Sequence, residues 1–309
     1  MTDMIKISRI HSLLKQGKRN KIEDYIFPSD ITHKTSNRIF IVCDGVGGEA
    51  KGEEASKLVA ETFGEMLSSM NQVSQEDILA ILEVAVVKIQ DYITTNPEAS
   101  NMSTTLTLAS INNDGILLAW CGDSKIIHFN KKHIKWKSLD HSFIQHLINI
   151  NEISPEEALN HPQRNLITRC INKNTNPKDI DFHVIKDIAP GDYLMLATDG
   201  IFEQLSIDFL PNIASDTHTD KSDLIEQHCA NKTRDNYSMY LLAFDNNSKS
   251  KSLKLLLVLG FSLFCGISIF WQHHKDSSKK IWLSDTTQKY KTPAQLPIIN
   301  SKNADSSKK

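Results

Sequence analysis

From Thr104 the chain runs through three short apolar stretches, TTLTLASI, ILLAWC and KIIHFN, separated only by residues 112–115 and by a Gly-Asp turn. Connections this short leave no room for a crossover, so the strands must double back as a meander. RIFIVC (38–43), YLMLAT (193–198) and SMYLLAF (238–244) are further apolar runs of strand length, the first two leading into Asp-Gly. Two amphipathic segments separate RIFIVC from the meander. In EEASKLVAETFGEMLSSM, Ala55, Leu58, Val59, Phe63 and Leu67 recur at helical spacing. Ser74 and Asp77 can open a second helix over SQEDILAILEVAVVKIQDYI. Two consecutive helices among hairpin-connected strands imply an α+β layered domain rather than a doubly wound parallel sheet. Residues 142–182 are polar and mixed, with weak helical patterning.

Acids recur at the strand ends. Asp44 follows IFIVC, Asp123 lies in AWCGDSK, Asp199 follows YLMLAT, Asp235 precedes YSMYLLAF, and Glu23 and Asp24 precede YIF. Any one Asp-Gly is as readily a simple turn. Several carboxylates converging in one cleft would repel one another unless cations neutralise them. All-oxygen sites of this kind suit Mg²⁺ or Mn²⁺. Arg19, just upstream of Glu23 and Asp24, could take a phosphate bidentately. The chemistry points to metal-assisted phosphate-ester hydrolysis. The glycines of DGVGG could suggest a nucleotide loop, but that stretch lacks a P-loop lysine and dinucleotide spacing.

The 309 residues are 40% hydrophobic and 23% charged with a net charge of −2, which gives no basic surplus for nucleic acid. Five scattered cysteines without CxxC spacing argue against a disulfide framework or structural zinc and fit a reducing compartment. Residues 255–271, LLLVLGFSLFCGISIFW, are charge-free, with Lys249, Lys251 and Lys254 before them and Lys275 after. Eleven of those 17 residues are Leu, Ile, Val or Phe, worth roughly −3 to −6 kcal/mol of membrane insertion. The segment is expected to be a transmembrane helix; a buried core helix is the alternative, although no polar stripe gives it a face. The chain then divides into a globular domain (1–246), a basic linker (247–254), the membrane helix (255–271) and a polar, disordered tail (272–309). With no apolar secretory stretch read ahead of the globular part, that part is expected on the cytoplasmic side of an inner membrane, as a single-pass protein.

The order GKRNKIEDY, VCDGVGGEAKGEEAS, STTLTLA, AWCGDSKIIHF, DHS, NLITRCI, GDYLMLATDGIFE, DNYSMYLLAF resembles that of the PPM family of metal-dependent Ser/Thr protein phosphatases, the protein phosphatase 2C type. The likeness spans about residues 8–244 and most resembles bacterial members. It implies a four-layer α-β-β-α sandwich with two central, mainly antiparallel sheets and two Mn²⁺ or Mg²⁺ ions at one end. By motif, Asp44 would bridge the two ions and the Gly45 carbonyl would complete one coordination sphere. Asp199 and Asp235 would hold the other ion, and Glu23 would act through metal-bound water. Asp123 would help hold a weaker third ion, Asp24 would support the ligands from behind, and Arg19 would bind the substrate phosphate. A bridging hydroxide would attack phosphorus in line. The resemblance also implies phosphoprotein substrates and a cognate Ser/Thr kinase. A catalytically silent relative that binds phosphoproteins or scaffolds a membrane complex is the alternative function.

Three positions depart from the family pattern. Val46 stands where many eukaryotic members carry a histidine, Met102 replaces the usual Gly before Ser-Thr, and Arg234 replaces the usual Ser before Asp-Asn. Met102 is expected to affect packing only, and Arg234 to extend into solvent. His141 in LDHS reads as a turn or substrate-rim residue rather than a base, and Cys43 as core. The 142–182 segment would include a variable flap beside the site.

Overall fold

The computed structural model describes residues 6–30, 36–46, 51–158, 161–164 and 166–244. Twelve strands lie among them: β1 (Ile7–Lys15), β2 (Tyr25–Phe27), β3 (Ile39–Cys43), β4 (Gly45–Val46), β5 (Ser103–Thr104), β6 (Leu106–Ile111), β7 (Ile116–Cys121), β8 (Lys125–Asn130), β9 (Ile134–Lys137), β10 (Asp181–Ile185), β11 (Asp192–Ala197) and β12 (Tyr237–Phe244). The helices are α1 (Gly52–Ser68), α2 (Gln75–Thr95), α3 (Phe143–Asn149), α4 (Pro155–Ala158), α5 (Asp199–Phe202), α6 (Leu210–Ser215) and α7 (Lys221–Cys229). One sheet runs β1-β12-β11-β8-β9, the other β10-β7-β6-β3-β2, with β4–β5 as a separate ribbon. The strand pairings among the described residues are all antiparallel.

The continuous apolar runs are explained by burial on both faces. In β3, Phe40 and Val42 point between the sheets while Ile39, Ile41 and Cys43 point outward beneath α1 and α2. In β12, Tyr240, Leu242 and Phe244 join the same inner core, and Met239 and Leu241 face α5, α6 and α7. The result is four layers, helix–sheet–sheet–helix. Phe40 and Tyr240 meet edge to face across the middle with ring centroids 5.2 Å apart. α2 starts with the expected capping box: Ser74 Oγ accepts from the Asp77 N–H at 3.1 Å and Asp77 Oδ2 accepts from the Ser74 N–H at 2.9 Å.

Two edge strands differ from the sequence reading. β1 and β10 lie at sheet edges, where one face is only partly covered and the apolar pattern is diluted. β10 begins at Asp181, within the 142–182 segment that read as mixed, and carries His183 just beyond it. The remainder of 142–182 includes α3 and α4, which bury Ile144, Leu147 and Ala158 in a small cluster of their own.

The chain divides after Asn246. The linker, the apolar run 255–271 and the tail lie outside the described residues. Among the described residues no helix is long and apolar enough to cross a membrane.

β11 is fastened at its start by Asp192. This carboxylate is 1% exposed and takes Lys135 Nζ at 2.7 Å, His128 Nε2 at 3.0 Å and the Ala189 N–H at 2.8 Å, all on Oδ2. Burial pushes the group up, but the hydrogen bonds from Lys135, Ala189 and His128 outweigh it and hold Asp192 below the usual carboxylate range. A depressed folded-state pKa stabilises the fold above the unfolded value and loses that stabilisation as pH falls through the folded one. Asp192→Ala is therefore expected to cost about 1–3 kcal/mol at neutral pH, since the buried His128 ring and the Ala189 N–H lose their acceptor while Lys135 can turn to solvent. In denaturant titrations the gap between variant and wild type should narrow once pH drops below about 4.

Candidate metal centre

β3 and β7 of one sheet and β11 of the other end at the same end of the sandwich, and β8 and β12 begin there. Asp44 follows β3, Asp199 follows β11 after Thr198, Asp235 precedes β12, and Asp123 sits in the turn where the chain passes from β7 to β8. This turn crosses from one sheet to the other.

The backbone of Asp44 is fully engaged. Its N–H donates to Thr105 Oγ1 at 2.9 Å, and its carbonyl accepts from the Thr105 N–H at 2.8 Å and Thr104 Oγ1 at 2.9 Å. The Ser-Thr-Thr stretch thus holds the residue by both peptide groups and leaves only the side chain free to vary. Gly45 follows because two other backbones come close. A Cβ there would lie 2.3 Å from the Gly52 carbonyl oxygen and 2.6 Å from that of Glu23. The constraint is close approach; Gly45 is not among the positive-φ residues. Gly200, next to Asp199, is constrained alike: a Cβ would meet the Asn236 carbonyl at 1.9 Å.

Asp24 is 3% exposed, and its Oδ2 accepts from Thr198 Oγ1 at 3.0 Å and Ser238 Oγ at 2.6 Å. It therefore holds the residue before Asp199 from behind. Asn236 does the same for the opposite rim. Its Oδ1 accepts from the Glu23 N–H at 2.7 Å, and its Nδ2 donates to the carbonyls of Gln16 and Lys21 at 2.7 and 3.0 Å. That loop carries Arg19 and Glu23.

Arg19 is placed at the site, but its fork grips Asp235, with Nε to Oδ1 at 2.7 Å and Nη2 to Oδ2 at 2.5 Å. Glu23 Oε1 meets Lys21 Nζ at 2.8 Å, and the same ammonium reaches Glu53 Oε2 at 2.8 Å. Lys125 pairs with Asp140 beneath the Asp123 turn. Sequence reasoning missed Lys125, Asn236, Thr105 and Thr198. The Asn236 signal was available, because a buried amide beside an acid at a strand start must find partners for all its hydrogens.

The electrostatics are those of crowded acids. Burial pushes Asp44 well up, and the charges of Asp24, Asp199, Asp123 and Asp235 add to it. Burial and then the Asp235 charge bring Asp199 to about 6, against the pull of Lys125. Asp123 is pushed to about 7 by burial and then by Asp199. Asp24 also reaches about 7, from burial, with Ser238 and Thr198 holding it back.

Among the described residues no three His, Cys, Asp or Glu side chains lie close enough together to enclose an ion as they stand. The donor set nonetheless fits a hard divalent cation. Every candidate ligand is oxygen, the carboxyls strain one another's ionisation, and Asp199 Oδ1 and Asp24 Oδ1 are buried without a hydrogen-bond partner.

The family model described as Protein phosphatase 2C matches residues 15–219. The chain belongs to the protein phosphatase 2C family. Its members are metal-dependent Ser/Thr protein phosphatases, and the chain is such an enzyme by family. A putative protein phosphatase 2C-type of Streptococcus pyogenes is 28% identical over 200 residues, 63% of this chain and 79% of the relative. The protein phosphatase PhpP of Streptococcus pneumoniae is 28% identical over 194 residues, 61% of this chain and 76% of the relative. The solved structure of the serine/threonine phosphatase Stp1 from Staphylococcus aureus superposes with a TM-score of 0.69 at 26% identity, covering 80% of this chain and 98% of that one. The α+β fold with two antiparallel sheets is the family's.

Of the departures from the 2C pattern, Met102 is buried in the core beneath α1 and α2, as expected. Arg234 extends outward with 75% of its side chain exposed, its Nε 3.9 Å from Glu203. Val46 is half-buried in the β4–β5 ribbon. Cys43 lies in the outer core, turned away from Asp44. His141 is not a rim residue: it is buried against the Asp123 turn.

Gly45→Ala should cost about 1–3 kcal/mol, the usual penalty of overpacking against atoms that cannot move aside. Thermal unfolding checks the loss, and phosphatase activity should fall with it because the junction places Asp44.

Proposed function

We propose that this chain hydrolyses phosphoserine and phosphothreonine monoesters in proteins at a centre of two Mn²⁺ or Mg²⁺ ions. The observation that carries the reading is the gathering of Asp44, Asp123, Asp199 and Asp24 from both sheets at one end, with buried carboxylate oxygens left unpaired. Asp44 would bridge the ions. Glu23, the Gly45 carbonyl, Asp199 and Asp235 would complete the set, and Asp123 would serve a weaker third ion. When bound, the ions supply a nucleophile at neutral pH and a clamp on the phosphoryl oxygens.

The chain's own residues do the rest. Thr104 and Thr105 fix the direction of Asp44, and Asp24 fixes Asp199 through Thr198. The fork with which Arg19 holds Asp235 is the same geometry that grips a phosphate, and the residue is exposed enough for a protein substrate to reach it. Val46 places hydrocarbon where many eukaryotic members carry a histidine, so no side chain at that position protonates the leaving oxygen. Burial pushes the thiols of Cys43 and Cys121 up, which keeps them from acting as nucleophiles.

The charge-free run 255–271 supports a single-pass membrane anchor; the inner membrane, the cytoplasmic side and a Ser/Thr kinase whose work the domain reverses are part of the same proposal.

Hydrolysis of p-nitrophenyl phosphate and of a phosphothreonine peptide should depend on added Mn²⁺, and Asp44→Asn should lower turnover at least about 100-fold. Equal rates in both proteins would refute the site, and no metal-dependent turnover in the wild type would leave the silent scaffold in its place. The full chain should stay in the membrane pellet after alkaline carbonate, and deletion of 255–271 should release it with turnover unchanged. Release of the intact chain by carbonate would rule out the anchor.

A further inference from the structure

His141 follows β9 and is buried, its side chain 5% exposed. It meets the Asp123 turn twice. The His141 N–H donates to the Gly122 carbonyl at 2.8 Å, and the Gly122 N–H donates back to the ring Nδ1 at 3.2 Å. An amide N–H only donates, so Nδ1 presents a lone pair and the ring proton rests on Nε2. Nε2 faces Asp181 Oδ2 at 3.2 Å; Arg169 Nη1, itself 3.5 Å from Nε2, donates to the other oxygen of that carboxylate at 3.3 Å. The Thr168 N–H donates to the His141 carbonyl at 2.8 Å. Trp120 covers one face of the imidazole, centroids 6.3 Å apart and planes 27° from parallel.

The far side of the same turn is held independently. Ser124 Oγ and Thr105 Oγ1 are 2.7 Å apart, and Thr105 Oγ1 accepts the Asp44 N–H. Gly122 has φ +112, and a Cβ there would lie 2.6 Å from Thr105 Cγ2. Asp123 is thus carried on a three-residue turn gripped by Thr105 at one end and by an imidazole at the other. Both ring nitrogens of His141 are committed, one to a peptide amide and one to a carboxylate, which leaves neither for general-base work.

We propose that His141 is a positioning residue for Asp123: its Nδ1 fixes the Gly122 amide and thereby sets the direction of the Asp123 carboxylate towards the cation it serves. The inference rests on the reading of Asp123 as a cation ligand. Outer partners that orient a ligand change metal affinity without touching the metal. The loss of such a partner should appear in Mn²⁺ binding and in the Mn²⁺ dependence of activity, ahead of any change in KM for the phosphopeptide.

The test uses the full chain in detergent, with Mn²⁺ binding followed by calorimetry and the thermal midpoint measured alongside. Asp123→Asn defines the Mn²⁺ component that depends on Asp123. His141→Gln leaves the Gly122 amide without its acceptor while an amide still reaches towards Asp181; it should weaken that same component about tenfold or more and spare the rest. His141→Asn puts Oδ1 where Nδ1 accepted, so it should bind within about threefold of wild type. Wild-type Mn²⁺ binding by His141→Gln would overturn the inference. So would equal weakening in both His141 variants together with an equal fall in midpoint, since that marks a structural role alone. If Asp123→Asn leaves the isotherm unchanged, the ligand assignment fails and the inference falls with it. If Asp123→Asn acts and His141→Gln does not, only the role of His141 is lost.

Discussion

Carboxylates repel one another, and burial strengthens the repulsion because little water remains to screen it. The end of the sandwich that carries Asp44, Asp123, Asp199 and Asp24 is assembled against both effects. The unfavourable electrostatics are tolerated because the acids are not free to separate. Each is attached to a strand end or a short turn whose backbone is already committed to hydrogen bonds, and the strands are locked by a core on both faces. Asp44 cannot retreat without breaking three bonds to Thr104 and Thr105. The stability of the sandwich is what holds the charge in place.

The same logic explains where the cations of the protein go. Arg19 sits on Asp235, Lys21 on Glu23 and Glu53, and Lys125 on Asp140 beside the Asp123 turn. These pairs ring the acids from outside, while Asp24 Oδ1 and Asp199 Oδ1 are buried without a hydrogen-bond donor. Such an arrangement distinguishes a site built to receive positive charge from a network that has already neutralised itself.

Much of this was legible in the sequence. Strands buried on both faces leave continuous apolar runs, so β3, β7, β11 and β12 announce themselves, and the acids at their ends are visible because they interrupt the hydrocarbon. The edge strands β1 and β10 were not legible, since an edge leaves one face partly wet and a bulge in β1 between Ile7 and Arg9 disturbs its alternation. The reason for Gly45 was not legible, because a sequence does not show that the Gly52 and Glu23 backbones arrive at the same place. His141 was misplaced for a related reason. Whether a histidine lies at a rim or beneath a turn depends on Gly122, some 19 residues away in the chain and adjacent only after folding.

Asp24 lies just before β2, whereas the hydroxyls it binds come from the opposite sheet, Ser238 from β12 and Thr198 from the residue that follows β11. One carboxylate oxygen therefore spans the gap between the layers just behind Asp199. The width of that gap is set elsewhere, by inner-core side chains such as Phe40 and Tyr240. A change of volume in the hydrocarbon interior, far from any acid, is thereby converted into a shift of the residue that leads into Asp199. The acidic end works as a gauge of core thickness, which ties the tolerance of this protein for interior substitution to the spacing of its carboxylates.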